Sequence, residues 1–222
     1  MVDLATWNLS IPEGSPPKTI ETSQLVDGFK DKYFNSEGST VYFWAPVTGT
    51  KTENAIYPRS ELRETYKDGT LRNWLYPEAD NFLNATLTVN QVPSSGKVVI
   101  GQIHTKDSNK PMVKLEYQYK DANDLGDIVA KVRMRPDDSK ARIITVASGV
   151  KLSQAFSYRI HLDRTGDLGI TAAGRSWYTT ISSTWRVKPL YFKAGAYVQD
   201  NTGYTSEGGK VTFSRLDIDH NT

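Results

Sequence analysis

Three short stretches of this 222-residue chain carry residue types suited to moving a proton beside an anion. The first is Tyr-Phe-Lys-Ala-Gly-Ala-Tyr-Val-Gln at 191–199. Successive side chains of a strand point to opposite faces. Phe192, Ala194, Ala196 and Val198 then share an apolar face, and Tyr191, Lys193, Tyr197 and Gln199 share a polar one. Gly195 falls between them, where a side chain is expected to block a ligand's approach. The second stretch, Arg-Ser-Glu-Leu-Arg-Glu at 59–64, puts Arg59, Glu61 and Arg63 on one face. An acid between two arginines can orient both guanidinium groups through paired hydrogen bonds. The competing reading is a solvated ion-pair ladder, which adds little stability. In the third stretch, Ile-Gly-Gln-Ile-His at 100–104, Gln102 and His104 share a face and Ile103 takes the other. An imidazole titrating near pH 6.5 suits proton transfer around neutrality. His161 and His220 lack comparable neighbours and read as structural or solvent-exposed.

Together these faces point to a specific chemistry. Arg59, Arg63 and Lys193 supply positive charge for an anionic chain, while Gln102 and one arginine can hydrogen-bond a carboxylate. His104 and Tyr197 are proton-transfer groups of different pKa. That set suits β-elimination from a uronic acid polymer. The proton on the carbon next to a carboxylate becomes removable once the charge developing on that carboxylate is stabilised. A base then takes the proton, and an acid protonates the departing glycosidic oxygen. Glycoside hydrolysis needs two carboxyl groups flanking the bond. Here Glu61 and Glu64 fall on opposite strand faces, and Asp217 and Asp219 have no catalytic-looking company. The chain has no cysteine, no H-x-x-x-H spacing and no G-x-S-x-G elbow, so thiol, zinc and serine-hydrolase chemistry have no sequence support.

The elements that must position these residues read as strands. Trp7–Ile11, Thr40–Ala45, Leu83–Val89, Val98–His104, Val113–Lys120, Ile128–Met134, Arg142–Val146, Phe156–Leu162 and Val211–Ile218 alternate or are rich in β-formers. Gly169–Tyr178 reads as a hairpin turning at Ala173-Gly174, and Ser23–Gly28 as a turn or brief helix. No stretch keeps a helical period over 11 or more positions. The chain is therefore expected to be all-β, a two-sheet sandwich or jelly roll forming one domain over 1–222. A net charge of +2, with no Lys/Arg run, gives no reason to expect nucleic acid as a partner. No apolar run approaches the roughly 20 residues of a membrane helix. The opening Met1-Val2-Asp3-Leu4 lacks the pattern of a signal peptide, so the compartment is left open.

Arg-Ser-Glu-Leu-Arg at 59–63, Gln-Ile-His at 102–104 and the motif at 191–199 together resemble polysaccharide lyase family 7, the alginate lyases. The opening Leu4–Pro12 is similar to the start of its short bacterial members, so the resemblance spans nearly the whole chain. It implies a β-jelly roll of two curved antiparallel sheets (concanavalin A-like) with the substrate groove on the concave sheet. The implied activity is endolytic β-elimination of alginate, with no cofactor and no obligatory metal. By motif position, Arg59 and Gln102 would neutralise the substrate carboxylate, His104 would be the base for guluronate and Tyr197 the acid. At mannuronate Tyr197 would serve as both. Glu61, Arg63, Tyr191, Lys193 and Gln199 would line the groove, and Asn54 would assist. Ile103, in the middle of Gln-Ile-His, implies acceptance of guluronate or mixed blocks. The polar loops at 47–57 and 105–111 are expected to act as lids over a monomeric enzyme. Two rivals are a non-catalytic carbohydrate-binding module on the same sandwich and a lyase for another polyuronate such as glucuronan.

Overall fold

The structure is a computed structural model that describes residues 2–222. In chain order its strands are β1 (Trp7–Ser10), β2 (Thr19–Ile20), β3 (Phe34–Asn35), β4 (Val41–Pro46), β5 (Arg59–Glu64), β6 (Asp80–Gln91), β7 (Lys97–Thr105), β8 (Val113–Lys120), β9 (Leu125–Val132), β10 (Arg142–Val150), β11 (Phe156–Leu162), β12 (Asp167–Ala172), β13 (Arg175–Thr180), β14 (Leu190–Val198) and β15 (Gly208–Asn221). They form two sheets, ordered β10-β9-β8-β7-β14-β5-β1-β2 and β13-β12-β11-β6-β15-β4-β3. Every pairing is antiparallel, and the sheets stack as a jelly-roll sandwich. The expected hairpin is β12–β13, with Ala173 and Gly174 both at positive φ (48° and 78°) as a type I′-like turn requires. Thr22–Val26 is a short helix, α1. The strand expected at Ile128–Met134 starts earlier, at Leu125, and β2 and β3 were not anticipated. Among the described residues, no helix is long and apolar enough to cross a membrane.

The alternation of β14 does what its pattern requires. Phe192, Ala194, Ala196 and Val198 are wholly buried against the second sheet, where Phe43 of β4 meets Phe34 and Phe213 edge-on at 5.4 and 5.5 Å. Small alanines beside large phenylalanines let the two layers interdigitate.

Two glycines let β7 and β14 sit at the centre of the eight-stranded sheet. β7 bulges against β8 between Val99 and Gly101. Tyr158 of β11 reaches across the core and donates its hydroxyl to the Ile100 carbonyl at 2.8 Å. A Cβ on Gly101 would lie 2.5 Å from that hydroxyl oxygen, so any side chain there would expel the tie between the sheets. Gly195 corrects an expectation. Its absent side chain opens no path for a ligand, because a Cβ there would meet the backbone of β5 at 2.6 Å (Ser60 O) and 2.8 Å (Glu61 Cα). At φ +153°, it allows close strand approach beside the β14 bulge.

The inner face of β5 carries a buried carboxylate. Glu64 Oε1 accepts from Trp74 Nε1 (2.7 Å) and from the backbone N–H of Phe192 (3.0 Å). Its Oε2 lies 2.6 Å from His220 Nε2, and His220 Nδ1 lies 2.7 Å from Asn81 Oδ1. Asn81 Nδ2 donates to the carbonyls of Ala79 and Leu162, which turns its oxygen toward the ring. Both ring nitrogens of His220 have a side-chain oxygen partner in the interior. His220 is thus structural: it pins the end of β15 to β5 beneath β14.

Candidate active site

The polar faces of β5, β14 and β7 come together because these strands are adjacent and in register. Tyr191 sits opposite His104, Lys193 opposite both Gln102 and Arg63, and Tyr197 opposite Arg59. Above them is a cleft of about 1050 Å³. Its walls include Thr52 to Ala55 of one expected lid loop and Asp107 to Pro111 of the other. Asn54, Arg59, Gln102, His104, Tyr191, Lys193 and Tyr197 all line it. These seven were singled out from sequence.

Glu61 does not line the cleft, which corrects its expected role in contacting substrate. It is 0% exposed and lies beneath the groove floor. There its carboxylate accepts from Arg59 Nη1 (3.1 Å), Lys193 Nζ (2.8 Å) and Gln102 Nε2 (2.8 Å). Burial alone would push this carboxyl up, but Lys193 and Arg59, with hydrogen bonds from Lys193 and Gln102, hold it at about 2. Each partner spends one N–H on Glu61 and keeps others for a ligand. Glu61 is therefore a positioning residue.

Arg63 also differs from expectation. Glu61 pairs with Arg59 and Lys193, leaving Arg63 outside the ion-pair set. Its guanidinium donates to the carbonyls of Glu64 (2.7 Å) and Arg72 (2.8 Å) and to Asn73 Oδ1 (2.7 Å). It also stacks 3.6 Å from the Tyr191 ring centroid. It buttresses Tyr191 and does not line the cleft. Gln199 is likewise set back, accepting from Lys114 Nζ at 3.0 Å.

The two proton-transfer groups sit in opposite protonation states. Burial first, then the Lys193 ammonium, pushes His104 down to about 3, so its imidazole is neutral near pH 7. Its Nδ1 lies 3.0 Å from the Thr105 carbonyl, which can only accept, so Nδ1 carries the proton and Nε2 is the basic nitrogen. The Tyr191 hydroxyl stands 3.1 Å from the same Nδ1, fixing the ring from a second side. Burial raises Tyr197, partly offset by Arg59, whose guanidinium carbon stands 3.8 Å from the ring centroid. The phenol therefore keeps its proton. A neutral imidazole and a protonated phenol over a bed of fixed cations form a base–acid pair beside an anion-binding floor. Among the described residues, no group of three or more His, Cys, Asp or Glu is placed to hold a metal.

Lys114 of β8 also lines the cleft and was not singled out from sequence. Its signal was available, since Val113–Lys120 alternates and puts Lys114, Glu116 and Gln118 on one face.

Comparison with known proteins follows the same lines. A family model described as alginate lyase matches residues 2–220. The crystal structure of an alginate lyase from Pseudomonas aeruginosa is similar at 47% identity and TM-score 0.95, over 99% of this chain and 100% of that one. Alginate lyase A1-II′, a member of polysaccharide lyase family 7, is similar at 29% identity and TM-score 0.84, over 99% and 96% of the two chains. An alginate lyase of Klebsiella pneumoniae is 28% identical, over 98% of this chain and 89% of that protein.

Proposed function

The chain belongs to the alginate lyase family, and from that premise we propose that it cleaves guluronate-containing alginate endolytically by β-elimination, leaving unsaturated oligouronides. The observation that carries the mechanism is the pairing of a neutral His104 with a protonated Tyr197 in a cleft floored by Arg59, Gln102 and Lys193. Arg59 and Gln102 receive the carboxylate of the uronate to be cleaved, and their remaining donors stabilise the charge that builds on it. His104 Nε2 takes the C5 proton of guluronate. The C5–H electrons become the C4–C5 double bond, the C4–O bond breaks, and Tyr197 protonates the departing oxygen. At mannuronate, where the C5 proton lies on the other side of the ring, the minor phenolate form of Tyr197 takes that proton and passes it to the departing oxygen. Endolytic attack and the guluronate preference come from the family resemblance, the latter through Ile103, whose wholly buried side chain acts only through packing. A1-II′ variants have been crystallised with GGG as product and GGMG as substrate, which supports an alginate oligosaccharide as the ligand of this cleft.

The test is incubation with polyguluronate, polymannuronate and polyglucuronate in the presence of chelator, following ultraviolet absorbance of the new double bond. Absorbance should rise fastest on polyguluronate or mixed alginate. A flat trace on all three polymers would overturn the lyase reading.

A further inference from the structure

Four cations on the outer face of the eight-stranded sheet fall in one row with Gln102. Register places Arg63 of β5, Lys193 of β14, Gln102 of β7, Lys114 of β8 and Lys131 of β9 side by side across five adjacent strands. Three of these five are committed elsewhere. Lys193 is tied to Glu61, Lys131 Nζ lies 2.9 Å from Glu116 Oε2, and Arg63 is spent on carbonyls and Asn73. Gln102 carries no charge. Lys114 differs: it lines the cleft, and its Nζ donates only to the neutral Oε1 of Gln199 at 3.0 Å. Among the described residues it pairs with no carboxylate.

A half-buried ammonium whose hydrogen bond goes to a neutral amide is costly. Burial pushes Lys114 down; Glu116 pulls it up, and smaller downward pushes from Lys131 and Arg59 leave the net shift downward. An anion arriving in the cleft would relieve this. Lys114 stands two strands from Lys193, roughly 10 Å at the usual inter-strand spacing, and its Nζ is 5.5 Å from the Tyr197 ring centroid. The two amines are held by different partners, Lys193 by Glu61 and Lys114 by Gln199, so they present separate points of positive charge to a ligand in the cleft.

We propose that Lys114, steadied by Gln199, binds the carboxylate of a uronate flanking the one that is cleaved, and so sets a charged subsite on the Tyr197 side of the cleft. The inference rests on the polyuronate reading for the identity of the anion. Gln199, expected from sequence to meet substrate itself, acts here by aiming the lysine.

The test compares Lys114→Met, which keeps the stem, and Lys114→Arg, which keeps the charge. Binding of guluronate oligomers is measured by calorimetry in a Tyr197→Phe background, and KM and kcat are measured in the otherwise unaltered enzyme. Lys114→Met should weaken binding and raise KM about tenfold, the size of a charge-assisted hydrogen bond. The fall in kcat should be much smaller, and added salt should shrink the difference. Lys114→Arg should restore most of the binding. Carboxyl-reduced oligomers should bind Lys114→Met and the parent alike. Unchanged oligomer affinity in Lys114→Met, or equal weakening toward carboxyl-reduced oligomers, would overturn the proposal. A loss confined to kcat would do so too, placing Lys114 with the proton-transfer groups instead. The calorimetry decides the role of Lys114 even if no unsaturated product forms, whereas absence of product counts against the lyase reading alone.

Discussion

Glu61 and Glu64 lie three residues apart on β5, both sealed from solvent, yet they serve opposite sides of the sheet. Glu64 faces inward and is met by Trp74, the Phe192 N–H and His220, all fixed by packing between the layers. Glu61 faces the groove and is met by Arg59, Lys193 and Gln102, each with donors to spare. A buried carboxylate must find donors wherever it is placed. What those donors are bonded to next decides whether the site is structural or functional. Around Glu64 the network closes on protein. Around Glu61 it opens onto a cleft.

Substitutions can break this contrast, and they are taken in falling order of their effect on turnover. Glu61→Gln removes the anion that aims Arg59 and Lys193, and misaimed groups of this kind cost about 10²-fold. We expect that loss in kcat/KM, and near-normal turnover would show that the cations orient themselves. His104→Asn should cut cleavage of polyguluronate about tenfold more than cleavage of polymannuronate. Equal losses on both polymers would contradict separate bases for the two epimers. His220→Leu removes the hydrogen-bond partner of Glu64 Oε2 and leaves only the distant Arg72 Nε, 4.0 Å away. Breaking a buried pair costs about 3 kcal/mol, so Tm should fall by several degrees while kcat stays within about twofold. A matching fall in kcat at a temperature where the variant is folded would erase the distinction between the two carboxylates.

The smallest expected effect is on the pH dependence. The carboxyl of Glu61 falls from its ordinary 4.5 to about 2 in the folded chain. Between those values the unfolded chain binds more protons, so stability rises with pH across the window and is lost on acidification, on the order of 3 kcal/mol in total. His104, lowered from 6.5 to about 3, adds a loss of the same sign as pH falls below 6.5. Because kcat/KM reports the free enzyme, its acid limb on polyguluronate should lie below pH ~5, not near the ordinary histidine value of ~6.5. A limb centred near 6.5 would show that His104 is not desolvated.

Much of the site was legible because strand periodicity assigns faces without a structure. Arg59, Gln102, His104 and Tyr197 were placed on polar faces by counting in twos. Counting in twos does not reveal the neighbour across the ladder. Glu61 was paired with both adjacent arginines, yet its register partner is Gly195, and Lys193, the diagonal neighbour two residues along β14, takes the place of Arg63. Arg63 is drawn off by the carbonyl of Arg72 and by Asn73, in a loop that no pattern placed beside it. Alternation puts Lys114 on a polar face, but a lone lysine there resembles any solvated one until register sets it beside Gln102. β2 and β3 are two residues each, too short to show a period.

The central claim is that the Tyr197 phenol delivers the proton that releases the leaving sugar, and Tyr197→Phe tests it most directly. Turnover on polyguluronate and affinity for guluronate oligomers should be measured side by side on the same folded sample. The account predicts a fall in kcat of about 10³-fold with affinity changed by less than about threefold, since only a transferable proton is lost. Turnover within tenfold of the parent would place the acid elsewhere in the cleft.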